Sequence, residues 1–192
     1  MGPRAALLVL CVLTALAPLG AAADEAAAWK ALREGGAVAL MRHADAPGGV
    51  GDPPGFRLED CATQRNLSER GRAQARAVGA RLRQEGIAIG RLLSSPWCRC
   101  LETARLLALA PVEVAPTFSN AFVLRDQRRA LTEGARALLT AWTAPGTLLV
   151  VTHGSNIQAL TGSTPGQGDI MVLTGGPVDG LRIIGTIAAP EK

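Results

Sequence analysis

The chain has 192 residues and a formal net charge of +4, and 48% of its residues are hydrophobic but only 3% are aromatic. This length is enough for one domain with a single core. The arginines are scattered and no tyrosine occurs, so the composition argues against a nucleic-acid-binding surface and suits an anionic substrate.

The first 23 residues predict a secretory signal peptide. Arg4 is the only early charge, residues 5–18 are almost wholly apolar, and the alanines at 21–23 precede Asp24. These are the parts of an export signal, so we expect cleavage after the last of these alanines. A membrane anchor would need about 20 apolar residues, whereas a proline and a glycine interrupt this run. The mature protein is therefore expected in the periplasm or outside the cell.

Residues 24–192 predict one domain in which helices and strands alternate. Hydrophobic periodicity and helix-breaking residues place helices at 25–34, 68–85, 97–109, 131–142 and 156–160. Short apolar runs place strands at 37–41, 91–95, 111–116, 147–151, 170–173 and 181–187. This alternation predicts an α/β fold, a three-layer sandwich with a largely parallel sheet and helices on both faces.

Local signals add detail to these elements. Ser68 is expected to cap the second helix, and Pro96 is expected at the first position of the third. Residues 47–56 are rich in proline, glycine and aspartate, which predicts a loop long enough to lie over a site. Residues 117–129 are irregular. The inner face of the fourth helix is expected to consist of Leu131, Ala135, Leu138 and Trp142.

The sequence contains two histidines, and each follows a predicted buried strand. Arg42 and His43 come directly after the first strand, and His153 comes directly after the strand at 147–151. Open α/β sheets bind ligands at the carboxyl ends of their strands. We therefore expect both histidines at one edge of the sheet, together with Arg99 from the start of the third helix.

These four side chains suit phosphate chemistry. Guanidinium groups match the oxygens of a phosphate, so Arg42 and Arg99 are candidate phosphate-binding residues. One imidazole could attack phosphorus and form a phosphohistidine that water later cleaves. The other could stabilise the charge of the transition state. Because the arginines supply positive charge, no metal or other cofactor is expected.

Each residue alone also has a simpler interpretation. A histidine after a strand is often only a hydrogen-bond partner, and Arg42 could form a surface ion pair. Arg99 could pair with Glu102 or Glu69. The occurrence of two histidines in matched settings together with Arg99 favours the functional interpretation.

Cysteine usage predicts one disulfide. Cys11 would leave with the signal peptide, so three cysteines would remain in an oxidising compartment. Cys98 and Cys100 are too close to bond easily with each other, so Cys61 is expected to pair with one of them. The spacing of these cysteines and the two histidines matches no usual zinc site.

Four segments resemble the motifs of the histidine phosphatase superfamily, also called phosphoglycerate mutase-like. They occur in the family's order and are Met-Arg-His-Ala-Asp at 41–45, Asn-Leu-Ser-Glu-Arg-Gly-Arg-Ala-Gln-Ala at 66–75, Ser-Ser-Pro-Trp-Cys-Arg-Cys-Leu-Glu-Thr-Ala at 94–104 and Val-Thr-His-Gly at 151–154. The resemblance implies that His43 is the phosphorylated nucleophile and that Arg42 and Arg99 bind phosphate. It implies that His153 completes the pocket.

The sequence departs from the family pattern in three places. Ala44 follows His43 where the family often has glycine, and residues 117–122 lack the glutamate that serves mutases as proton donor. Gly154 stands where the acid phosphatase branch has aspartate. The candidates for the general acid are therefore Asp45, Asp126 and Asp169. Asp45 is also a candidate substrate-binding residue.

The expected function is hydrolysis of phosphate monoesters through a phosphohistidine on His43. The alternative is a phosphate-ligand binding protein of the same fold that has lost turnover. The chain leaves little room for the inserted cap domain of larger acid phosphatases, so we expect an open pocket and a bulky substrate. The resemblance extends most closely to small exported phosphatases, which implies an envelope sugar phosphate as the substrate.

Overall fold

The computed structural model describes residues 19–176 and 180–190, and it shows a six-stranded sheet with helices on both faces. The helices are α1 (Leu19–Glu34), α2 (Glu69–Gln84), α3 (Cys98–Leu107), α4 (Arg128–Thr140) and α5 (Gly154–Thr161). The strands are β1 (Val38–Arg42), β2 (Ile89–Ser94), β3 (Val112–Val114), β4 (Thr147–Thr152), β5 (Ile170–Thr174) and β6 (Arg182–Ile187). The predicted α/β fold class is confirmed.

The sheet is largely parallel, with strand order β3-β2-β4-β1-β5-β6. The four strands from β3 to β1 run parallel to one another, as predicted. β5 runs antiparallel to β1, and β6 runs antiparallel to β5. A short connection can join β5 to β6 because antiparallel neighbours need no crossover helix.

The central strands are apolar throughout because both faces of the sheet are covered. In β1, Ala39 and Met41 face a core that includes side chains of α1, α2 and α3. Val38 and Leu40 face the opposite core, which includes side chains of α4 and α5. Every residue of β4 is buried. Strands that are covered on both faces have continuous apolar sequences. This burial explains the apolar runs that predict β1 and β4.

The helix ends agree with the predicted ones to within three residues, except that α1 begins at Leu19 and not at residue 25. Ser68 caps α2, and its hydroxyl accepts from the backbone N–H of Gly71. Pro96 does not occupy the first helical position, because Trp97 has an extended backbone and serves as the N-cap of α3. In α4, Ala135 and Leu139 are the buried residues. Trp142 lies beyond the end of this helix and is only partly buried.

α2 and α3 pack closely at a glycine. A Cβ added to Gly79 would overlap the backbone carbonyl of Leu107, the last residue of α3. Gly71 makes a similar close approach to the carbonyl of Asp45. These contacts hold α2 against both α3 and the chain that follows β1.

The disulfide joins Cys61 to Cys98, and Cys100 is a buried free cysteine. This pairing selects one of the two alternatives left open by the sequence. Within the described residues, no helix is long and apolar enough to span a membrane. The predicted signal peptide lies outside the described residues except for 19–23, which begin α1.

Candidate active site

The pairing of β1 with β4 places the two histidines side by side. The register ends with Arg42 opposite Thr152, so the next residue of each strand is a histidine. The backbone N–H of His43 donates to the carbonyl of Thr152 at 2.9 Å. The ring centroids of His43 and His153 are 5.7 Å apart. The predicted meeting of the histidines at one sheet edge is therefore observed.

Arg99 reaches the same place from the neighbouring strand. β2 pairs with β4 and ends at Ser94, and α3 begins four residues later with Arg99 in its first turn. The Arg99 Nη2 atom lies 3.4 Å from Nδ1 of His153. Arg42, the last residue of β1, donates from Nη1 to the carbonyl of Pro165 at 3.0 Å.

These four predicted residues line one open cavity of about 270 Å³. Residues 49–51 of the predicted loop also line it, as the sequence led us to expect. Among the described residues, no carboxylate belongs to the cavity lining. The other lining residues are Arg65, Asn120, Phe122, Gly154, Ser155, Gln158 and Thr164.

The structure does not place Asp45 with the histidines. Its carboxylate accepts hydrogen bonds from Ser68 and Arg70, and these bonds hold the pKa of Asp45 below its usual range. Asp45 and Asp169 line a separate cavity of about 660 Å³, and Asp126 lies beside the first turn of α4. The three aspartates that the sequence suggested as general acids therefore all lie outside the histidine cavity.

The hydrogen bonds of His43 determine which nitrogen is free. Nδ1 lies 2.9 Å from the backbone carbonyl of Ala44, and a carbonyl only accepts, so Nδ1 carries the proton of the neutral ring. Nε2 is then the atom with the free electron pair. Burial, together with the positive charges of nearby arginines, lowers the pKa of His43 to about 3. The ring is therefore neutral near pH 7.

His153 is held from both sides. Its Nε2 lies 2.9 Å from Oγ of Ser95, and its Nδ1 faces the Arg99 guanidinium. Because arginine only donates, Nδ1 accepts and Nε2 donates to Ser95. Burial and the charge of Arg99 place the pKa of His153 well below its usual value.

Two buried guanidinium donors are without a hydrogen-bond partner among the described residues. They are the Nε atoms of Arg42 and Arg99, and both residues line the histidine cavity. A buried donor without a partner is costly, and a phosphate oxygen is a strong acceptor for it. Burial lowers the pKa of Arg42, yet arginine remains charged in proteins.

Arg99 does form an ion pair, but not with the predicted partners. Its Nη1 lies 2.6 Å from Oδ1 of Asp52, and both side chains are buried. Glu69 and Glu102 instead pair with Arg72. Burial acts to raise the pKa of Asp52, but the hydrogen bonds and charge of Arg99 outweigh it and leave the pKa lowered.

Gly154 leaves room for the Arg42 side chain. A Cβ at this position would lie 3.3 Å from Nε of Arg42 and 3.0 Å from Cγ2 of Thr164. Any larger side chain would crowd the guanidinium further. Gly154 therefore packs closely against Arg42 and Thr164.

Sequence reasoning missed Ser95, Arg65 and Asp52. Ser95 stands inside the third motif and Arg65 stands one residue before the second, so proximity to the motifs was the available signal. Asp52 was included only as part of a loop. Its partner lies 47 residues away, and no local pattern connects the two. The described residues contain no group of three or more His, Cys, Asp or Glu side chains placed to hold a metal ion.

Comparisons with known proteins agree with this geometry. Residues 38–129 match the model of the histidine phosphatase superfamily (branch 1). No curated protein matches the sequence significantly. The similar solved structures include the protein histidine phosphatase SixA complexed with tungstate, which is 20% identical. The match covers 79% of this chain and 96% of that one, with a TM-score of 0.53.

Two further structures share the fold. Phosphoserine phosphatase from Entamoeba histolytica is 15% identical, with 80% of this chain and 97% of that one covered and a TM-score of 0.56. A mycobacterial glucosyl-3-phosphoglycerate phosphatase is 19% identical, with 71% and 89% covered and a TM-score of 0.52. The chain thus matches the histidine phosphatase superfamily over residues 38–129 and shares its fold with these solved phosphatase structures.

Proposed function

We propose that this protein hydrolyses phosphate monoesters, with Nε2 of His43 as the nucleophile. One observation carries the proposal: a neutral His43, a second histidine and two arginines, each with an unpartnered Nε donor, line a single cavity. A phosphoryl group in this cavity would lie next to the electron pair of His43 and to the positive charges of Arg42 and Arg99. The phosphatase activities named for the structural relatives support the same reaction class.

The reaction proceeds in two displacements. Nε2 of His43 attacks phosphorus, the P–N bond forms, and the P–O bond to the leaving group breaks with its electrons on the ester oxygen. Arg42 and Arg99 donate to the phosphoryl oxygens and stabilise the developing charge. A water molecule then attacks phosphorus, the P–N bond breaks, and inorganic phosphate leaves as His43 regains its electron pair.

The leaving group has no carboxylic acid beside it within the described part of the chain. The ester oxygen therefore takes its proton from water in the open cavity, and substrates whose leaving group is stable as an anion are favoured. The envelope sugar phosphate implied by the resemblance stays a prediction, and it would be a demanding substrate for such a site.

We also propose that the protein is exported, with residues 1–23 removed as a signal peptide. The Cys61–Cys98 disulfide supports this because disulfides persist in oxidising compartments. Expression of the full chain, cell fractionation and mass spectrometry would test it. A periplasmic or secreted species that begins at Asp24 is expected, and an uncleaved cytoplasmic species would contradict export.

Hydrolysis of p-nitrophenyl phosphate by the purified protein and by His43→Ala tests the activity. The wild type should release phosphate, and the variant should lose at least about a hundredfold in kcat because the nucleophile is gone. Arg91→Ala is a matched control, since Arg91 forms an exposed ion pair with Glu113 away from the cavity. Equal rates for wild type and His43→Ala would remove His43 from the mechanism.

Variants of the two phosphate-binding arginines test the alternative of a binding protein without turnover. Isothermal titration calorimetry with inorganic phosphate would then show binding that Arg42→Ala and Arg99→Ala weaken. Arg91→Ala should bind as the wild type does. Binding of this kind without release of phosphate from a panel of phosphoesters would favour the alternative.

A further inference from the structure

Asp52 is a buried carboxylate that the proposed reaction does not use. It lies on the loop between β1 and α2, and its side chain is fully buried. Its Oδ1 accepts from Nη1 of Arg99 at 2.6 Å, and its Oδ2 accepts from Nη2 at 3.3 Å. The contact between the carboxylate and the guanidinium is therefore bidentate. A bidentate contact fixes both the position and the plane of the guanidinium.

Two further donors hold the carboxylate itself. The indole N–H of Trp97 donates to Oδ2 at 2.9 Å, and the backbone N–H of Arg65 donates to Oδ1 at 3.1 Å. Trp97 is the N-cap of α3, and Arg65 precedes α2. Asp52 therefore connects the loop to the segments that carry Arg65 and Arg99, two arginines that line the cavity.

This arrangement restricts what Arg99 can present to a ligand. Nη1 donates to Asp52 and to the carbonyl of Arg65, and Nη2 faces Asp52 and Nδ1 of His153. The donor that remains free is Nε, which is buried and unpartnered. An arginine without such a carboxylate could turn any of its five N–H groups toward a ligand. Asp52 instead keeps one edge of the guanidinium in place before any ligand arrives.

The charges around the cavity are also matched to a phosphoryl group. Arg42, Arg65 and Arg99 line the cavity, and Asp52 lies directly behind Arg99. Three guanidinium charges less one carboxylate charge leave two positive charges, which complement a dianionic phosphate monoester. Without Asp52 the three guanidiniums would repel one another more strongly.

We propose that Asp52 is a positioning residue that orients Arg99 for catalysis. This inference rests on the proposed phosphatase function. Asp52 is not the missing general acid, because its side chain is buried behind Arg99 and does not line the cavity. Its effect on the reaction passes through the guanidinium of Arg99.

Asp52→Asn tests this role with p-nitrophenyl phosphate and phenyl phosphate as substrates. The amide accepts only one of the two Arg99 contacts, so we expect kcat to fall at least tenfold. KM should change less than threefold, since the added net positive charge offsets weaker ground-state contacts. The fractional loss in kcat should be equal for both substrates. A general acid would instead lose more with phenyl phosphate, the poorer leaving group, and that outcome would overturn the assignment.

Glu113→Gln is the matched control. It neutralises the carboxylate of another arginine pair in which both carboxylate oxygens accept, Oε1 from Nε and Oε2 from Nη2 of Arg91. This pair is exposed, and neither residue lines the cavity. Its kcat should equal that of the wild type. A wild-type kcat for Asp52→Asn would show that Arg99 is oriented without Asp52.

The coupling to Arg99 is measured with the double variant Asp52→Asn/Arg99→Gln. If Asp52 acts through Arg99, adding Asp52→Asn to Arg99→Gln should change kcat less than threefold. A further tenfold loss would overturn the proposal. This comparison does not require Asp52→Asn alone to fold, because it sets the double variant against Arg99→Gln, in which Asp52 keeps the donors of Trp97 and Arg65.

Failure of the proposed function would be recognised separately. Wild-type turnover that depends on His43 establishes the function, whatever Asp52→Asn does. Without turnover, calorimetry with inorganic phosphate measures the same coupling. Arg99→Gln should then weaken binding at least tenfold in the wild-type background and less than threefold in the Asp52→Asn background. Equal weakening in both backgrounds would overturn the role of Asp52.

Discussion

The tautomer of His43 depends on one backbone carbonyl. Because the carbonyl of Ala44 accepts a hydrogen bond from Nδ1–H, the free electron pair is on Nε2. In the proposed mechanism the ring then needs no further base to attack phosphorus. Burial keeps the ring neutral. In the proposed mechanism, this tautomer and the neutral state of the ring are the two features that prepare Nε2 for attack on phosphorus.

The buried histidines predict a loss of stability in mild acid. The pKa of His43 is about 3 in the folded chain and about 6.5 in an unfolded one. The unfolded chain therefore binds the proton first as pH falls below 6.5, and folding is progressively weakened down to about pH 3. His153 acts in the same direction.

Urea unfolding at pH 7 and pH 4.5 measures this effect. His43 alone should account for about 2.5 kcal/mol of the loss, from the proton linkage of a single group. His43→Gln removes the titrating ring and should show a correspondingly smaller loss. The same acid loss in the variant would contradict the buried neutral state of His43.

Absence of a carboxylate from the described cavity lining predicts a steep dependence on the leaving group. p-Nitrophenyl phosphate and an alkyl phosphate differ strongly in the stability of the anion they release. We expect kcat/KM for p-nitrophenyl phosphate to exceed that for an alkyl phosphate by at least about a hundredfold, the contribution that a general acid typically makes. Nearly equal values would indicate a proton donor that the described cavity does not contain.

The histidines and arginines of the site could be predicted because each is adjacent to a strong local signal. His43 and His153 follow continuous apolar runs, and Arg99 follows a strand and a proline. Asp52 could not be predicted, because its role depends on how a glycine-rich loop folds back onto α3. Asp45 was overestimated, because proximity to His43 in sequence did not show that its carboxylate is directed to Ser68 and Arg70.

At the scale of elements, the parallel pairing of β1 with β4 sets the distance between the histidines. The sequence predicted both strands but not their register, which depends on contacts over about a hundred residues. It also gave no sign that β5 runs antiparallel to β1, because direction in a sheet depends on the connections rather than on apolar patterning. Helix ends were predicted best where a cap was present, as at Ser68.

The close approach of α2 to α3 predicts that a methyl group added at Gly79 lowers the free energy of unfolding. In Gly79→Ala the Cβ would overlap the carbonyl of Leu107, so the two helices must separate. We expect a loss of about 2–3 kcal/mol in the free energy of unfolding, measured in urea.

Gly134→Ala in α4 is the matched control. Its nearest neighbour would be the hydroxyl of Thr117, a side chain that can turn away. Because alanine favours helix by about 1 kcal/mol over glycine, this variant should be as stable as the wild type or more stable. Equal destabilisation by both substitutions would contradict the described packing of α2 on α3.

At the scale of the whole molecule, the disulfide ties the segment before α2 to the beginning of α3. Cys98 is adjacent to Arg99, and the bond closes a loop with a sequence separation of 37 residues. The chain-entropy estimate for such a loop is about 4 kcal/mol of stabilisation. Cys61→Ser/Cys98→Ser should lose about this much free energy of unfolding.

Reducing agent provides the control for this prediction. Dithiothreitol should lower the stability of the wild type toward that of the double variant and should leave the variant unchanged. Mass spectrometry confirms that the bond has opened. An unchanged unfolding free energy in the reduced wild type would contradict a stabilising role for the disulfide.

The most direct test of the account is to trap the phosphoryl group on the protein. The wild type is mixed with a ³²P-labelled phosphoester, quenched in alkali within milliseconds, digested and analysed by mass spectrometry. Because phosphohistidine is stable to alkali and labile to acid, the account predicts an acid-labile label on His43 that is absent from His43→Ala. Turnover without any such label, or an equal label on His43→Ala, would contradict it.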